Sequence, residues 1–234
     1  VFHLPFNDVD ALDFIDKNVA GVILEPIQGD AGVRIPSKEF MTKLRKICDD
    51  NCILLIMDEI QTGMGRTGKL FAFQHFDVVP DILTIGKAFG GGMPIGGLVT
   101  SQKLMSLFNN NPTLGHITTF GGHPACCAGA LAYLEVLKQE NIIENVEKKG
   151  KLFEELIAHR SIVEIRRKGL FFAIEMKSKE IVQKVVEGCK DNGVLSFWFL
   201  SCPESFRIAP PLNISNSEIK ESCKIINKVM DEVC

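Results

Sequence analysis

The sequence contains 234 residues, carries a formal net charge of −3 and is 46% hydrophobic, with a mean hydropathy of +0.14. A chain of this length and composition can bury a sizeable core, as one large globular domain or two smaller ones. No apolar run approaches the roughly 18 residues of a membrane span, and the small negative charge offers no attraction to nucleic acid or to an anionic membrane. We therefore expect neither nucleic acid nor a membrane as a partner.

The eight cysteines are scattered along the chain, and none belongs to a C-x-x-C pair. In a sequence with no visible signal peptide, this distribution favours reduced thiols over disulfides. It predicts a cytoplasmic protein. The first residue is Val1 rather than Met, which leaves open a targeting segment ahead of it.

The first third of the sequence alternates apolar strands with a helical pattern. Asn7 or Asp8 is predicted to open a short helix that runs through Lys17. Further elements are predicted in the order strand, helix, strand, strand, at Ala20–Leu24, Ser37–Asp50, Ile53–Met57 and Ile82–Gly86. Short runs rich in Ile and Leu are typical of buried parallel strands, and strand–helix–strand order predicts a right-handed βαβ unit.

The middle of the sequence predicts a short strand, a short helix, a polar loop and a helix of small residues. These elements are predicted at Gly97–Thr100, Ser101–Leu107, Asn109–His123 and Pro124–Gln139. Proline at the start of the last segment suits the first turn of a helix, where its missing N–H has no cost.

From Asn141 onward the sequence becomes more charged and the predicted elements alternate differently. They are a helix at Ile142–His159, strands at Val163–Arg166 and Leu170–Met176, a helix at Lys179–Asn192 stopped by Gly193, strands at Val194–Phe199 and Ser205–Ile208, and a last helix opened by a capping box of Ser215 and Glu218. The whole pattern predicts an α/β fold. Residues 1–140 form part of a large domain with a mostly parallel sheet, and residues 141–234 form a smaller α+β domain.

Two of the predicted strands end abruptly in a polar residue, Asp58 after Ile53–Met57 and Lys87 after Ile82–Gly86. Open α/β sheets bind ligands at the carboxyl ends of their strands, so both side chains are predicted to face one crevice. Three glycines, Gly90–Gly92, follow at a place where larger side chains would block a ligand. A buried lysine has a lowered pKa and can form a Schiff base with an aldehyde such as pyridoxal phosphate, whereas a solvated ion pair is the ordinary alternative.

The segment from Gly63 to Lys69 has the G-x-x-x-x-G-K spacing of a nucleotide-binding P-loop. The next residue is Leu70 instead of the serine or threonine that would hold Mg²⁺. A nucleotide site is therefore the less favoured reading of this loop.

Five segments resemble, in the same order, the motifs of the class III pyridoxal-phosphate-dependent aminotransferases. They are LEPIQGDAGV (Leu24–Val33), MDEIQTGMGRTG (Met57–Gly68), PDILTIGKAFGGG (Pro80–Gly92), TTFGGHP (Thr118–Pro124) and FRIAPPL (Phe206–Leu212). The resemblance covers essentially the whole chain and implies the type I fold of pyridoxal-phosphate-dependent transferases.

The resemblance also implies roles around the cofactor. Lys87 corresponds to the Schiff-base lysine, and Asp58 to the acid that pairs with the protonated pyridine nitrogen. Gln61 corresponds to a contact with the ring oxygen, and Ile60 to the apolar residue on the ring face. Glu25 corresponds to a glutamate that fixes the geometry of this network.

Three further residues carry implied roles in phosphate and substrate binding. Thr119 corresponds to a residue that reaches the cofactor phosphate of the neighbouring subunit, which implies a homodimer with shared active sites. Arg207 corresponds to the arginine that binds the α-carboxylate of 2-oxoglutarate. Asp30 stands where related enzymes have a glutamate that neutralises this arginine, and it is shorter by one methylene. No metal site is expected.

The implied reaction transfers an amino group between an ω-amino amino acid, such as ornithine, acetylornithine or lysine, and 2-oxoglutarate. No segment resembles the family's first part, which supplies a phosphate loop and an aromatic residue that stacks on the cofactor. This predicts a fragment, or an enzyme completed by another chain. An aminomutase and a non-catalytic partner subunit stay open as alternatives, and the sequence leaves the amino donor unidentified.

Overall fold

The computed structural model describes residues 1–109, 111 and 117–234, so the predicted loop Asn109–His123 lies partly outside the described residues. The chain forms two compact units. The first unit comprises Val1–Pro26, Pro36–Met64 and Phe71–Gln139, and the second comprises Ile27–Ile35, Gly65–Leu70 and Glu140–Cys234. The second unit thus includes two loops that the predicted division at residue 140 assigned to the other domain. Across the described ranges, no helix has both the length and the apolar character needed to cross a membrane.

The first unit contains a four-stranded sheet, as the strand pattern predicts. Its strands, in spatial order, are β1 (Gly21–Leu24), β2 (Leu54–Asp58), β3 (Ile82–Ile85) and β4 (Gly97–Thr100). The first three strands are parallel and β4 is antiparallel to β3, which confirms the expectation of a mostly parallel sheet. Leu55 and Met57 of β2 are fully buried.

The described residues of the first unit form three α-helices. They are α1 (Lys38–Asp50), α2 (Gln102–Met105) and α3 (Pro124–Gln139). The hydroxyl of Ser37 accepts the N–H of Phe40 at 3.0 Å and caps α1. Phe40, Met41 and Leu44 of α1 are buried, as the helical spacing predicts.

The predicted helix from Asn7 or Asp8 through Lys17 is wrong in length, because only a 3₁₀ helix at Asp10–Phe14 forms. Asp8 accepts the backbone N–H groups of residues 10 and 11 and so opens this turn. The carboxylate of Asp16 accepts both the backbone and the side-chain N–H of Asn18, at 2.9 and 3.0 Å. This local turn competes with helix propagation and ends the element early.

The second unit pairs an antiparallel sheet with three helices. The strands are β5 (Ile162–Lys168), β6 (Phe171–Met176), β7 (Phe197–Trp198) and β8 (Ser205–Ile208), and the helices are α4 (Ile142–Leu156), α5 (Lys179–Asp191) and α6 (Asn216–Val233). The spatial order of the strands is β5-β6-β8-β7. Residues 171–174 of the central strand β6 are all buried, so this strand forms the core of the unit.

The predicted strand Val194–Phe199 is reduced to the two residues of β7. Val194 follows α5 and takes part in its C-terminal cap, because its N–H donates to the carbonyl of Cys189 at 2.8 Å while Gly193 takes a φ of 87°. The predicted capping box is confirmed: Ser215 Oγ accepts the N–H of Glu218 at 3.2 Å, and Glu218 accepts the N–H of Ser215 at 2.7 Å.

Candidate active site

The side chains of Asp58 and Lys87 follow two neighbouring parallel strands of the first unit. Asp58 is the last residue of β2 and pairs in register with Thr84 of β3, three residues before Lys87. Beyond the strands, a Cβ atom placed on Gly86 would lie 3.4 Å from Cγ2 of Ile60. The chain that follows Asp58 therefore packs against the chain that leads into Lys87.

The carboxylate of Asp58 is oriented by its own loop. Its Oδ1 atom accepts the backbone N–H of Ile60 at 2.9 Å, and no donor in the described parts of the chain bonds its Oδ2 atom. One carboxylate oxygen is thus fixed, and the other is available to a cationic or N–H-bearing group.

Lys87 adopts a backbone conformation that residues with side chains rarely adopt, with a φ of 48°. Left-handed conformations at residues other than glycine carry strain and are enriched at functional sites. The expected burial of Lys87 is wrong for this chain, because the side chain is exposed. The lysine stands at the surface of the unit at the start of a 3₁₀ helix, Lys87–Gly90.

The glycines after Lys87 allow close packing against α3, and this differs from the ligand clearance predicted for them. A Cβ atom on Gly91 would lie 2.5 Å from the carbonyl oxygen of Gly129, and one on Gly129 would lie 2.8 Å from that of Gly90. Among Gly90, Gly91 and Gly92, only Gly92 borders open space, since nothing lies within 4 Å of the Cβ it lacks. Helix α3 therefore fixes the position of the segment that carries Lys87.

Sequence reasoning missed Glu59, whose side chain is buried although it directly follows Asp58. Glu59 is 1% exposed. Its carboxylate accepts the hydroxyl of Thr62 at 2.5 Å and the N–H of Phe73 at 2.8 Å. Burial raises the pKa of Glu59, and these hydrogen bonds oppose the rise. Glu59 therefore fixes the loop after β2. The sequence feature that could have revealed it is a second acid directly after an apolar strand.

The second unit contains the predicted carboxylate-binding residues. The guanidinium carbon of Arg207 on β8 lies 5.8 Å from the ring centre of Phe197 and 5.9 Å from that of Phe199. Such rings stabilise the cation and hold it in one orientation. No carboxylate oxygen of the described residues lies within 4.0 Å of this guanidinium.

Asp30 bonds to the chain ahead of β8 rather than pairing with Arg207. Its carboxylate accepts the hydroxyl of Ser201 at 2.7 Å and the N–H groups of Leu200 and Ser201, each at 3.2 Å. The Ser201 hydroxyl is the main reason that the pKa of Asp30 is lowered, and the positive charge of Arg207 is the smallest contribution. The structure shows this aspartate held by neutral donors.

The remaining predicted site residues lie at separate places on the first unit. Glu25 directly follows β1, Gln61 lies half-buried in the turns after β2, and Thr119 is exposed in a bend. The predicted P-loop leads into a 3₁₀ helix that begins at Ala72 instead of a helix at Lys69, so it lacks the helix N-terminus that holds phosphate. Within the part of the chain that the structure describes, no cluster of three or more metal-ligating side chains occurs.

Comparison with known proteins extends the motif resemblance to nearly the whole chain. Residues 3–230 match the family described as aminotransferase class III. The acetylornithine aminotransferase of Caldanaerobacter subterraneus subsp. tengcongensis is 39% identical over 99% of this chain and 58% of its own length.

Solved structures show the same similarity. The ornithine aminotransferase of Toxoplasma gondii has a TM-score of 0.89 and 36% identity over 97% of this chain and 55% of its own. The acetylornithine aminotransferase of Elizabethkingia anophelis has a TM-score of 0.87 and 37% identity over 99% of this chain and 60% of its own. The predicted type I fold is thereby confirmed.

The chain spans somewhat more than half the length of these relatives, from 55% to 60%. The match to the family nevertheless extends over nearly all of its 234 residues, and all five motifs fall within that match. The chain therefore belongs to the class III aminotransferases.

Proposed function

We propose that this protein is a pyridoxal-phosphate-dependent aminotransferase that moves an amino group between an ω-amino amino acid and 2-oxoglutarate. The proposed donor class is that of ornithine, acetylornithine or lysine, and the relatives are named for the first two of these. The observation that carries the proposal is the placement of Asp58 and Lys87 at the carboxyl ends of adjacent parallel strands.

The residues of the first unit suit the cofactor in their chemistry. Lys87 offers an exposed amine that would hold the cofactor's aldehyde as a Schiff base. Asp58 offers a fixed carboxylate with one oxygen available, which suits a protonated pyridine nitrogen. Ile60 offers an apolar face and Gln61 a side-chain amide for the ring, while Thr119 offers a hydroxyl for phosphate.

When bound, the cofactor supplies a ring that withdraws electrons from the substrate carbon that loses a proton. Asp58 would keep the ring nitrogen protonated, because its negative charge would stabilise the cation. The amine of Lys87 would act as the general base and acid that moves the proton between the substrate carbon and the cofactor. Glu25 is assigned a supporting role in fixing this network.

Arg207 is proposed to bind the carboxylate of the 2-oxo acid. Its planar fork suits a carboxylate, and the rings of Phe197 and Phe199 hold it in place. The hydrogen bonds of Asp30 to Leu200 and Ser201 keep this acid from competing for the guanidinium. Asp30 is proposed to line the same carboxylate site without neutralising the arginine.

A homodimer with shared active sites is part of the proposal, because Thr119 corresponds to the family residue that reaches the partner's cofactor. A cytoplasmic location is proposed from the scattered cysteines, which carry free thiols. Cross-linking in solution tests the dimer, and cell fractionation tests the location.

The test is borohydride reduction of the full-length protein with pyridoxal phosphate, followed by peptide mass mapping. We expect a reduced adduct on Lys87, and we expect Lys87→Ala to remain folded with no transamination. Lys103→Ala, which removes an exposed lysine of α2, is the matched control and keeps its activity. Retained transamination by Lys87→Ala would contradict the proposal. Absence of the adduct favours a non-catalytic subunit, and turnover without an external 2-oxo acid favours an aminomutase.

A further inference from the structure

A buried arginine, Arg166 on β5, joins three separate segments of the second unit. It is 9% exposed. Its Nε atom donates to the carbonyl oxygen of Gly32 at 2.7 Å, and its Nη2 atom donates to the hydroxyl of Ser205 at 3.1 Å. Its Nη1 atom bonds the carboxylates of Glu164 and Glu175. Nothing in the proposed reaction uses this cluster.

Strand register places Arg166 and Arg207 in one row across the sheet. Arg166 pairs with Ala173 of β6, Ala173 pairs with Arg207 of β8, and Arg207 pairs with Phe197 of β7. Residues directly opposite each other share one face of a sheet at about 5 Å per step. The two arginines are thus roughly 10 Å apart at their Cα atoms, separated by the small side chain of Ala173.

The next row on the same face supplies the counter-charges for Arg166. Glu164 pairs with Glu175, and Glu175 pairs with Ser205. Burial alone lowers the pKa of Arg166, and the hydrogen bonds to Glu175 and Glu164 outweigh it, so the pKa lies above its ordinary value. The positive charge of Arg166 is therefore paired within the protein with Glu164 and Glu175. The guanidinium of Arg207 lies beside aromatic rings instead.

The loop of residues 27–35, called the 27–35 loop, is the element that Arg166 holds against this face. Paired backbone hydrogen bonds between Gln28 and Arg34 close the loop, at 3.0 and 2.9 Å. Gly32 and Val33 both have positive φ angles, 89° and 54°. Val33 is fully buried, and a branched residue in this conformation persists only where its surroundings impose it. The bond from Arg166 to the carbonyl of Gly32 is such a constraint.

The contact between the 27–35 loop and the chain before β8 is tight. A Cβ atom on Gly32 would lie 2.9 Å from Sγ of Cys202 and 3.1 Å from Nη2 of Arg166. Two residues earlier in the loop, the carboxylate of Asp30 accepts the N–H groups of Leu200 and Ser201. The loop is thus held at Gly32 and at Asp30. Ser205, the first residue of β8, lies two residues before Arg207 and therefore on the same face of the sheet.

We propose that Arg166 is a positioning residue that sets the geometry of Asp30 and Arg207 and thereby the affinity for the 2-oxo acid. This inference rests on the proposed function, because that proposal assigns the carboxylate to Arg207. Arg166 acts by seating the 27–35 loop and by engaging two glutamates that would otherwise compete for Arg207.

The kinetic test compares Arg166→Lys with Arg167→Lys in the full-length protein. Arg166→Lys keeps the charge but cannot bond Gly32, Ser205 and both glutamates together. We expect it to raise KM for the 2-oxo acid about ten-fold, with kcat changed less than about two-fold. Arg167 is the matched control, because it also pairs with two glutamates, Glu147 and Glu154, but contacts neither the loop nor β8. An unchanged KM in Arg166→Lys, or an equal rise in Arg167→Lys, overturns the proposal.

Amide hydrogen exchange tests the positioning directly and needs no activity. We expect the amides of Leu200 and Ser201 to exchange faster in Arg166→Lys and at the wild-type rate in Arg167→Lys. Unchanged exchange overturns the positioning role. Ser205→Ala, which removes one bond to Arg166, is a milder second variant in which we expect a smaller change in the same direction. If the wild-type protein forms no adduct on Lys87, the proposed function is contradicted. If the adduct forms normally but the KM of Arg166→Lys for the 2-oxo acid is unchanged, only this inference is contradicted.

Discussion

Asp58, which ends β2, and Glu59, which follows it, differ in environment, and Glu59 yields a prediction about pH. A raised pKa means that the folded protein holds the proton of Glu59 more tightly than the unfolded chain does. Its contribution to stability is therefore complete below the ordinary value of 4.5 and declines as the pH rises through the folded pKa. We expect Glu59→Gln to abolish this decline. Urea unfolding at pH values on both sides of 4.5 measures it, and a constant stability difference between the two proteins contradicts it.

The carboxylate of Asp30 yields a prediction of opposite sign. The hydroxyl of Ser201 is the main cause of its lowered pKa, so Ser201→Ala is expected to raise the pKa of Asp30 towards 3.8. The stability that ionised Asp30 contributes above pH 3.8, and that is lost as the pH falls through its folded pKa, is therefore expected to be smaller in Ser201→Ala. Carboxyl NMR titration measures the shift. Ser106→Ala, in the first unit, serves as the control, and an unmoved Asp30 signal in Ser201→Ala refutes the assignment.

At the scale of elements, the contact between α3 and the 3₁₀ helix of Lys87 predicts an exception to helix propensity. Alanine is normally favoured over glycine inside a helix by about 1 kcal/mol. In Gly129→Ala the new Cβ would lie 2.8 Å from the carbonyl oxygen of Gly90, so the two elements must separate. We expect a lower melting temperature and a lower yield of cofactor adduct on Lys87. Glu135→Ala, on the exposed side of α3, should leave both unchanged.

The capping box of α6 predicts a simpler loss. Ser215→Ala leaves the N–H of Glu218 without its side-chain acceptor, which costs about 1 kcal/mol of folding free energy. Thermal unfolding measures this loss. Ser217→Ala removes only the 2.9 Å contact between the Ser217 and Ser215 hydroxyls and keeps the Ser215–Glu218 bond, so it should cost less stability than Ser215→Ala.

Local patterns in the sequence predicted the elements and missed the long-range contacts. Apolar runs that end in Asp58 and Lys87 identified β2 and β3, because burial between neighbouring strands leaves a continuous apolar stretch. Arg166 gave no such signal, since its partner Gly32 lies 134 residues away. The glycines after Lys87 were visible, but their packing against Gly129 depends on where α3 lies in three dimensions.

At the scale of the whole molecule, the two units are interleaved in sequence. The 27–35 loop and residues 65–70 belong to the second unit although most of that unit begins at Glu140. Within it, Arg66 donates to the carbonyl oxygens of Leu170 and Pro210 at 3.0 and 2.6 Å. The second unit therefore depends on residues that a cut at residue 140 would remove.

This interleaving predicts the behaviour of an isolated C-terminal fragment. Residues 140–234 alone keep Arg166 but lose its Gly32 acceptor and the bonds made by Arg66. We expect this fragment to lack cooperative thermal unfolding by circular dichroism. The same fragment with added peptide 27–35 provides the comparison, and a sharp unfolding transition in the fragment alone contradicts the expectation.

The interleaving also has a consequence during translation. At roughly 5–20 residues per second, the ribosome adds Arg166 on the order of ten seconds after Gly32. During that interval the 27–35 loop, whose Ile27 and Val33 are fully buried in the finished protein, lacks the sheet of its own unit. Nascent chains arrested before Arg166 should therefore cross-link to chaperones through this stretch, and chains arrested after β8 has emerged should not.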